Sequence, residues 1–123
     1  IETRLACGPD FCQLSGEDAT ILPFLGGGGH GCISVTSNIA PRLCREMHDA
    51  WAVGDFAAAQ ALSDRLMPLH RTLFCETSPG PVKYAAKLLG RSSDRLRLPL
   101  APIAEATCRR VEQSMLDCGL ING

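Results

Sequence analysis

The chain has 123 residues, with 12 basic and 13 acidic side chains, a net charge of −1 and 46% hydrophobic residues. That is enough chain for one domain with an ordinary core, and it is too neutral to offer the basic stripe that nucleic acid requires. No apolar run approaches the roughly 20 residues needed to span a bilayer, so neither nucleic acid nor membrane is an expected partner.

Residues 1–10 read as a helix tail or loop ending in the Gly8-Pro9-Asp10 turn. The chain opens at Ile1, without a methionine or a charged-then-apolar leader, and some upstream segment is expected to have been removed by processing or fragmentation. An apolar strand is predicted over 11–14, a polar turn over 15–18 and a short helix over 19–25. A glycine-rich return over 26–31 then leads into a second strand over 32–35. Strand, helix, strand in that order makes a βαβ unit with parallel, neighbouring strands and a right-handed connection. Both strands are short and apolar without clean alternation, the pattern of parallel strands covered on both faces. Two such strands cannot cover themselves, so a partner chain or further strands are expected to complete the sheet.

Everything beyond Asn38 reads as helix. The first, 41–53, has proline in its first turn and Gly54 after its end, with Leu43, Cys44, Met47, Ala50 and Trp51 on its apolar face. The second opens on Asp55 as N-cap and runs to about Phe74. Its stripe of Ala59, Leu62, Leu66, Leu69 and Leu73 stays in phase past Pro68, which is expected to kink this helix without ending it. A third is predicted over 81–89, stopped by Gly90, and a fourth over 102–118, burying Ile103, Val111, Met115 and Cys118 and stopped by Gly119.

Candidate chemistry is sparse. Seven cysteines, an odd number without a CxxC pair, argue for buried reduced thiols over a disulfide framework, and so for a reducing, cytoplasmic compartment. Cys44 and His48 share a helix face, but no second pair of metal ligands accompanies them, and no metal is expected. Gly26, Gly28 and Gly31 satisfy G-x-G-x-x-G with the helix before it and the strand after, the reverse of a dinucleotide site, so no nucleotide cofactor is expected. No histidine assembles into a triad, and Lys83 and Lys87 read as exposed helical lysines. Arg91, Arg95 and Arg97 read as a solvated loop more readily than as an anion site. Ser15-Gly16-Glu17-Asp18 and Val35-Thr36-Ser37-Asn38 follow the two strands and are expected side by side on one rim, where barrel-type α/β proteins place their sites. Asp18 is read there as a helix N-cap, and Gly16 as a place where a ligand can approach the backbone.

LSGEDAT (14–20), HGCISVTSNIAP (30–41), DRLMPLH (64–70), PVKYA (81–85) and LRLPLAP (96–102) together resemble the C-terminal part of the dihydrodipicolinate synthase family. These are pyruvate-dependent class I aldolases, and the segments stand in the family's order. The resemblance implies an α/β fold: the last two strands of a (β/α)8 TIM barrel followed by a C-terminal helical domain. Residues 1–40 would carry strands seven and eight, and 41–123 the closing barrel helix and the helical domain. It further implies a cytoplasmic, homotetrameric lyase that condenses pyruvate, held as a Schiff base, with aspartate semialdehyde. The product would be 4-hydroxy-tetrahydrodipicolinate, on the diaminopimelate route to lysine, with no cofactor.

The family's Schiff-base lysine, in K-E-A-T-G or K-D-A-T-G, has no counterpart in this sequence, nor has the tyrosine of its proton relay or the threonine of its G-T-T-G-E motif. No residue here is therefore assigned a catalytic role, and the chain alone is expected to be inactive. Three positions match the family's binding surface. Ile33 would border pyruvate through its backbone, and Gly16 and Glu17 would line the second-substrate end. Gly26–Gly29 and Ser78-Pro79-Gly80-Pro81 depart from the family's pattern, away from those positions. Two other readings remain: a related aldolase such as N-acetylneuraminate lyase, and a non-catalytic helical module that binds partner subunits.

Overall fold

The structure, a computed structural model, describes residues 1–122. Its centre is helix α4, Phe56–Leu73, whose Ala59, Leu66, Leu69 and Leu73 are fully buried at spacings of 3, 4 and 7. Asp55 caps it, accepting the Ala58 N–H at 3.0 Å. The helix runs on through Pro68, and the Thr72 hydroxyl donates to the Pro68 carbonyl at 2.8 Å.

Three helices pack around this axis: α3 (Pro41–Ala52) and α6 (Glu105–Asp117) against α4, and α5 (Gly80–Leu88) chiefly against α6. Leu43, Cys44 and Met47 of α3 and Val111 and Met115 of α6 enter the core, while Trp51 stays half-buried, its ring 4.8 Å from that of Phe56. Gly54 and Gly119, at φ 81° and 67°, supply the left-handed residues that follow α3 and α6. The fourth predicted helix starts later than expected. Ala104 is extended at φ −65°, ψ 150°, and its N–H is taken at 3.1 Å by the Glu76 carboxylate, which leaves Pro102 and Ile103 outside the helix.

The N-terminal part holds α1 (Glu2–Cys7), β1 (Leu14–Ser15), α2 (Ile21–Gly26) and β2 (Gly31–Cys32). β1 and β2 are parallel, with Leu14 opposite Gly31 and Ser15 opposite Cys32, so the βαβ reading holds. The strands are shorter than 11–14 and 32–35, and each is displaced. Phe11 and Cys12 find no partner strand among the described residues, while Val35 turns to φ −83°, ψ −42°. Ser34 drives that turn, its Oγ accepting the Ser37 N–H at 2.8 Å. At the other end His30 extends the ladder: its N–H donates to the Gln13 carbonyl at 2.9 Å, and its Nδ1 accepts the Gln13 N–H at 3.1 Å.

The seven cysteines are all free thiols. Cys44 and Cys118 are buried as expected, whereas Cys7 and Cys12 are exposed on α1 and the following loop, which lack an apolar layer over them. No helix among the described residues is long and apolar enough to cross a membrane.

Candidate functional site

The C-terminal ends of β1 and β2 lie side by side. The Ile33 N–H donates to the Ser15 carbonyl at 2.8 Å, the last ladder bond before the two chains diverge. Gly16 and Glu17 follow Ser15 directly, so all three positions singled out in the sequence meet on one rim. Ile33 is 72% exposed, and a Cβ added at Gly16 would meet nothing within 4 Å. Both positions are therefore open at the rim.

Ser15 shapes the first turn, its hydroxyl accepting the Glu17 N–H at 3.0 Å and donating to the Glu17 carbonyl at 3.2 Å. Glu17, and not Asp18, caps the short 3-10 turn Asp18–Thr20: its carboxylate accepts the Ala19 N–H at 3.1 Å. The N-cap reading of Asp18 is thereby corrected. Its side chain turns inward, 5% exposed, and accepts the N–H groups of Val35 at 2.9 Å and Thr36 at 3.2 Å. One carboxylate thus satisfies two backbone donors of the neighbouring turn, one of them buried, which is what makes its own burial tolerable.

Beneath Thr36 lies His70, a histidine that looked unremarkable in the sequence. Its Nδ1 is 2.7 Å from the Thr36 hydroxyl, and both side chains are buried. Burial lowers the proton affinity of the imidazole, with the negative charges of Asp18 and Glu17 acting in the opposite sense. Nε2 has no hydrogen-bond partner among the described residues. The available signal was positional: His70 falls between Leu69 and Leu73 on the buried stripe of α4, where a polar side chain needs a partner.

The Cys32 thiol, 4.0 Å from Asp18 Oδ1, is pushed up to about 11, first by burial and then by the charges of Asp18 and Glu17. Cys44 is pushed up to about 11 as well, by burial and then by Asp18. Neither is an activated nucleophile. The two lysines are occupied with the loop around Arg95: Lys83 donates to the Arg95 carbonyl, and Lys87 pairs with Asp94 at 2.7 Å. Arg91 ties that loop to the rim turn, donating to the carbonyls of Asn38 at 3.0 Å and Ile39 at 3.4 Å. No cluster of three or more potential metal ligands forms among the described residues.

A parallel strand pair with open rim turns, backed by a layer of helices, fits the last two strands of a (β/α)8 barrel joined to a C-terminal helical domain. Solved structures of that architecture overlay closely. Dihydrodipicolinate synthase from Thermotoga maritima matches 91% of this chain at a TM-score of 0.89 and 38% identity, over 38% of its own length. The enzyme from Aquifex aeolicus matches 92% at 0.87 and 35% identity, over 39% of its length. The dihydrodipicolinate synthetase family model matches residues 1–117, and the chain belongs to that family. The 4-hydroxy-tetrahydrodipicolinate synthase of Bradyrhizobium diazoefficiens is 58% identical over 98% of this chain and 41% of its own length. That of Rhodospirillum centenum is 57% identical over 98% of the chain and 42% of its length. The chain thus spans about two fifths of these relatives.

Proposed function

We propose that this chain is the C-terminal portion of a 4-hydroxy-tetrahydrodipicolinate synthase, a lyase joining pyruvate to aspartate semialdehyde in lysine biosynthesis. The observation that carries this reading is the 58% identity to a synthase of that name, sustained across almost the whole chain. In this reading residues 1–40 close the barrel, and 41–123 form its last helix and the helical domain. The assembled enzyme is a cytoplasmic homotetramer.

Ile33 borders pyruvate through its backbone, and Gly16 and Glu17 line the second-substrate end of the pocket. Their meeting on one rim, at the strand ends where barrel enzymes act, supports these roles. The electrophilic chemistry belongs to a Schiff-base lysine in the remaining part of the barrel, so this chain supplies a wall of the pocket. Lys83 and Lys87, on α5 and engaged with the Arg95 loop, are not its substitutes.

The test joins this chain to the upstream part of the Bradyrhizobium relative. The assembled enzyme is expected to condense the two substrates and, with pyruvate and borohydride, to trap an adduct on an upstream lysine. The chain alone is expected to trap none. A stable adduct on Lys83 or Lys87, or a folded but inert assembly, overturns the reading. Glu17→Gln in the active assembly is expected to raise KM for the aldehyde more than for pyruvate.

A further inference from the structure

We propose that His70 is a positioning residue for the keto-acid subsite, acting through the Thr36 hydroxyl on the loop that carries Ile33; this rests on the reading of Ile33 just given.

The loop from Ile33 to Thr36 is held at three points. Ile33 N–H is bonded to Ser15 of β1 at 2.8 Å. The N–H groups of Val35 and Thr36 are bonded to Asp18 at 2.9 and 3.2 Å. The Thr36 hydroxyl is bonded to His70 of α4 at 2.7 Å. The first two come from β1 and the turn that follows it. The His70 bond refers the rim directly to α4 at the centre of the helical core, whose packed side chains do not shift independently.

His70 is an expensive choice for a purely structural position. It is 2% exposed, beside Leu66, Leu69 and Leu73 on the buried side of α4, and its Nε2 lies buried without a partner among the described residues. An apolar pair at 70 and 36 would fill both places without leaving a polar atom unsatisfied, whereas His70 and Thr36 leave Nε2 so. What the imidazole adds is one directed bond to a hydroxyl three residues beyond the exposed Ile33. Such a bond fixes the height of the rim against the core, and sub-ångström placement of a binding backbone governs how well it meets its ligand.

The experiment uses the active assembly of this chain with the upstream part of the relative. His70→Leu keeps the stripe apolar, Thr36→Val removes the hydroxyl at nearly constant shape, and Thr36→Ser keeps it. His70→Leu and Thr36→Val are each expected to raise KM for pyruvate roughly tenfold, with a smaller change in kcat and in KM for the aldehyde. Combining them is expected to cost no more than either alone, because both break one bond. Thr36→Ser is expected to restore the pyruvate KM. If His70→Leu fails to fold, Thr36→Val against Thr36→Ser decides the matter. Folded variants whose pyruvate KM stays within about twofold of the parent's, less than one lost hydrogen bond would produce, overturn the inference. An unsubstituted assembly that traps no pyruvate overturns the functional reading itself, and this inference with it.

Discussion

The carboxylate of Asp18 accepts the backbone N–H of Val35 at 2.9 Å, so the turn leaving β1 grips the turn leaving β2. The same carboxylate lies beside the Cys32 thiol, and its charge is the second contributor, after burial, to holding that thiol protonated. Asp18→Asn removes the charge while keeping the shape. The pH at which Cys32 becomes reactive is expected to fall from about 11, though not to an ordinary value, because burial remains. Site-resolved alkylation by mass spectrometry, which separates Cys32 from the exposed Cys7 and Cys12, measures this directly. An unchanged pH profile at Cys32 would show that the contact is absent in solution.

His70 makes stability depend on pH in a defined direction. Burial depresses its proton affinity in the folded chain below the ordinary value of 6.5. As pH falls through 6.5 the unfolded chain binds a proton that the folded chain refuses, and stability declines. The contribution is complete above 6.5 and is lost progressively toward the lower, folded value. Urea midpoints between about pH 8 and pH 5 are expected to fall with acidification. His70→Leu should flatten the upper part of that slope, leaving the carboxylate contribution at lower pH. Parallel slopes for the two proteins would place the titration elsewhere.

Leu66 is fully buried on α4, between the helices that pack on either side. Leu66→Ala is expected to cost about 2–5 kcal/mol, from lost transfer free energy and the cavity left behind. Leu62, one turn earlier and only half-buried, should cost distinctly less. Chemical denaturation of the two variants orders them, and equal losses would contradict the packing described.

Asp55 caps α4 through the Ala58 N–H at 3.0 Å. Asp55→Ala should destabilise the fold by about 1 kcal/mol, and Asp55→Ser should recover most of it. Thermal melts at fixed concentration test the pair. A melt for Asp55→Ala coincident with the parent's would mean that α4 does not begin where the structure starts it.

The local features of the chain were legible in its residues because they are decided by neighbours a turn or less away. Gly54 stops α3, Asp55 starts α4, Pro41 opens α3, and the leucine stripe continues through Pro68, each by short-range sterics or hydrogen bonding. The family motifs around Gly16, Glu17 and Ile33 were likewise readable, being contiguous strings. Where the strands stop, where α6 begins and what Asp18 does were not, since each depends on a partner far along the chain. Asp18 satisfies donors 17 and 18 residues away, and Glu76 holds the Ala104 N–H across 28. His70 reaches Thr36 across 34 residues. A buried polar atom must be satisfied by whichever group the fold brings to it, and composition and periodicity carry no information about that choice. Sequence alone determined the four long helices, their order and the family; tertiary packing decided where the last of them begins and which side chains hold the rim in place.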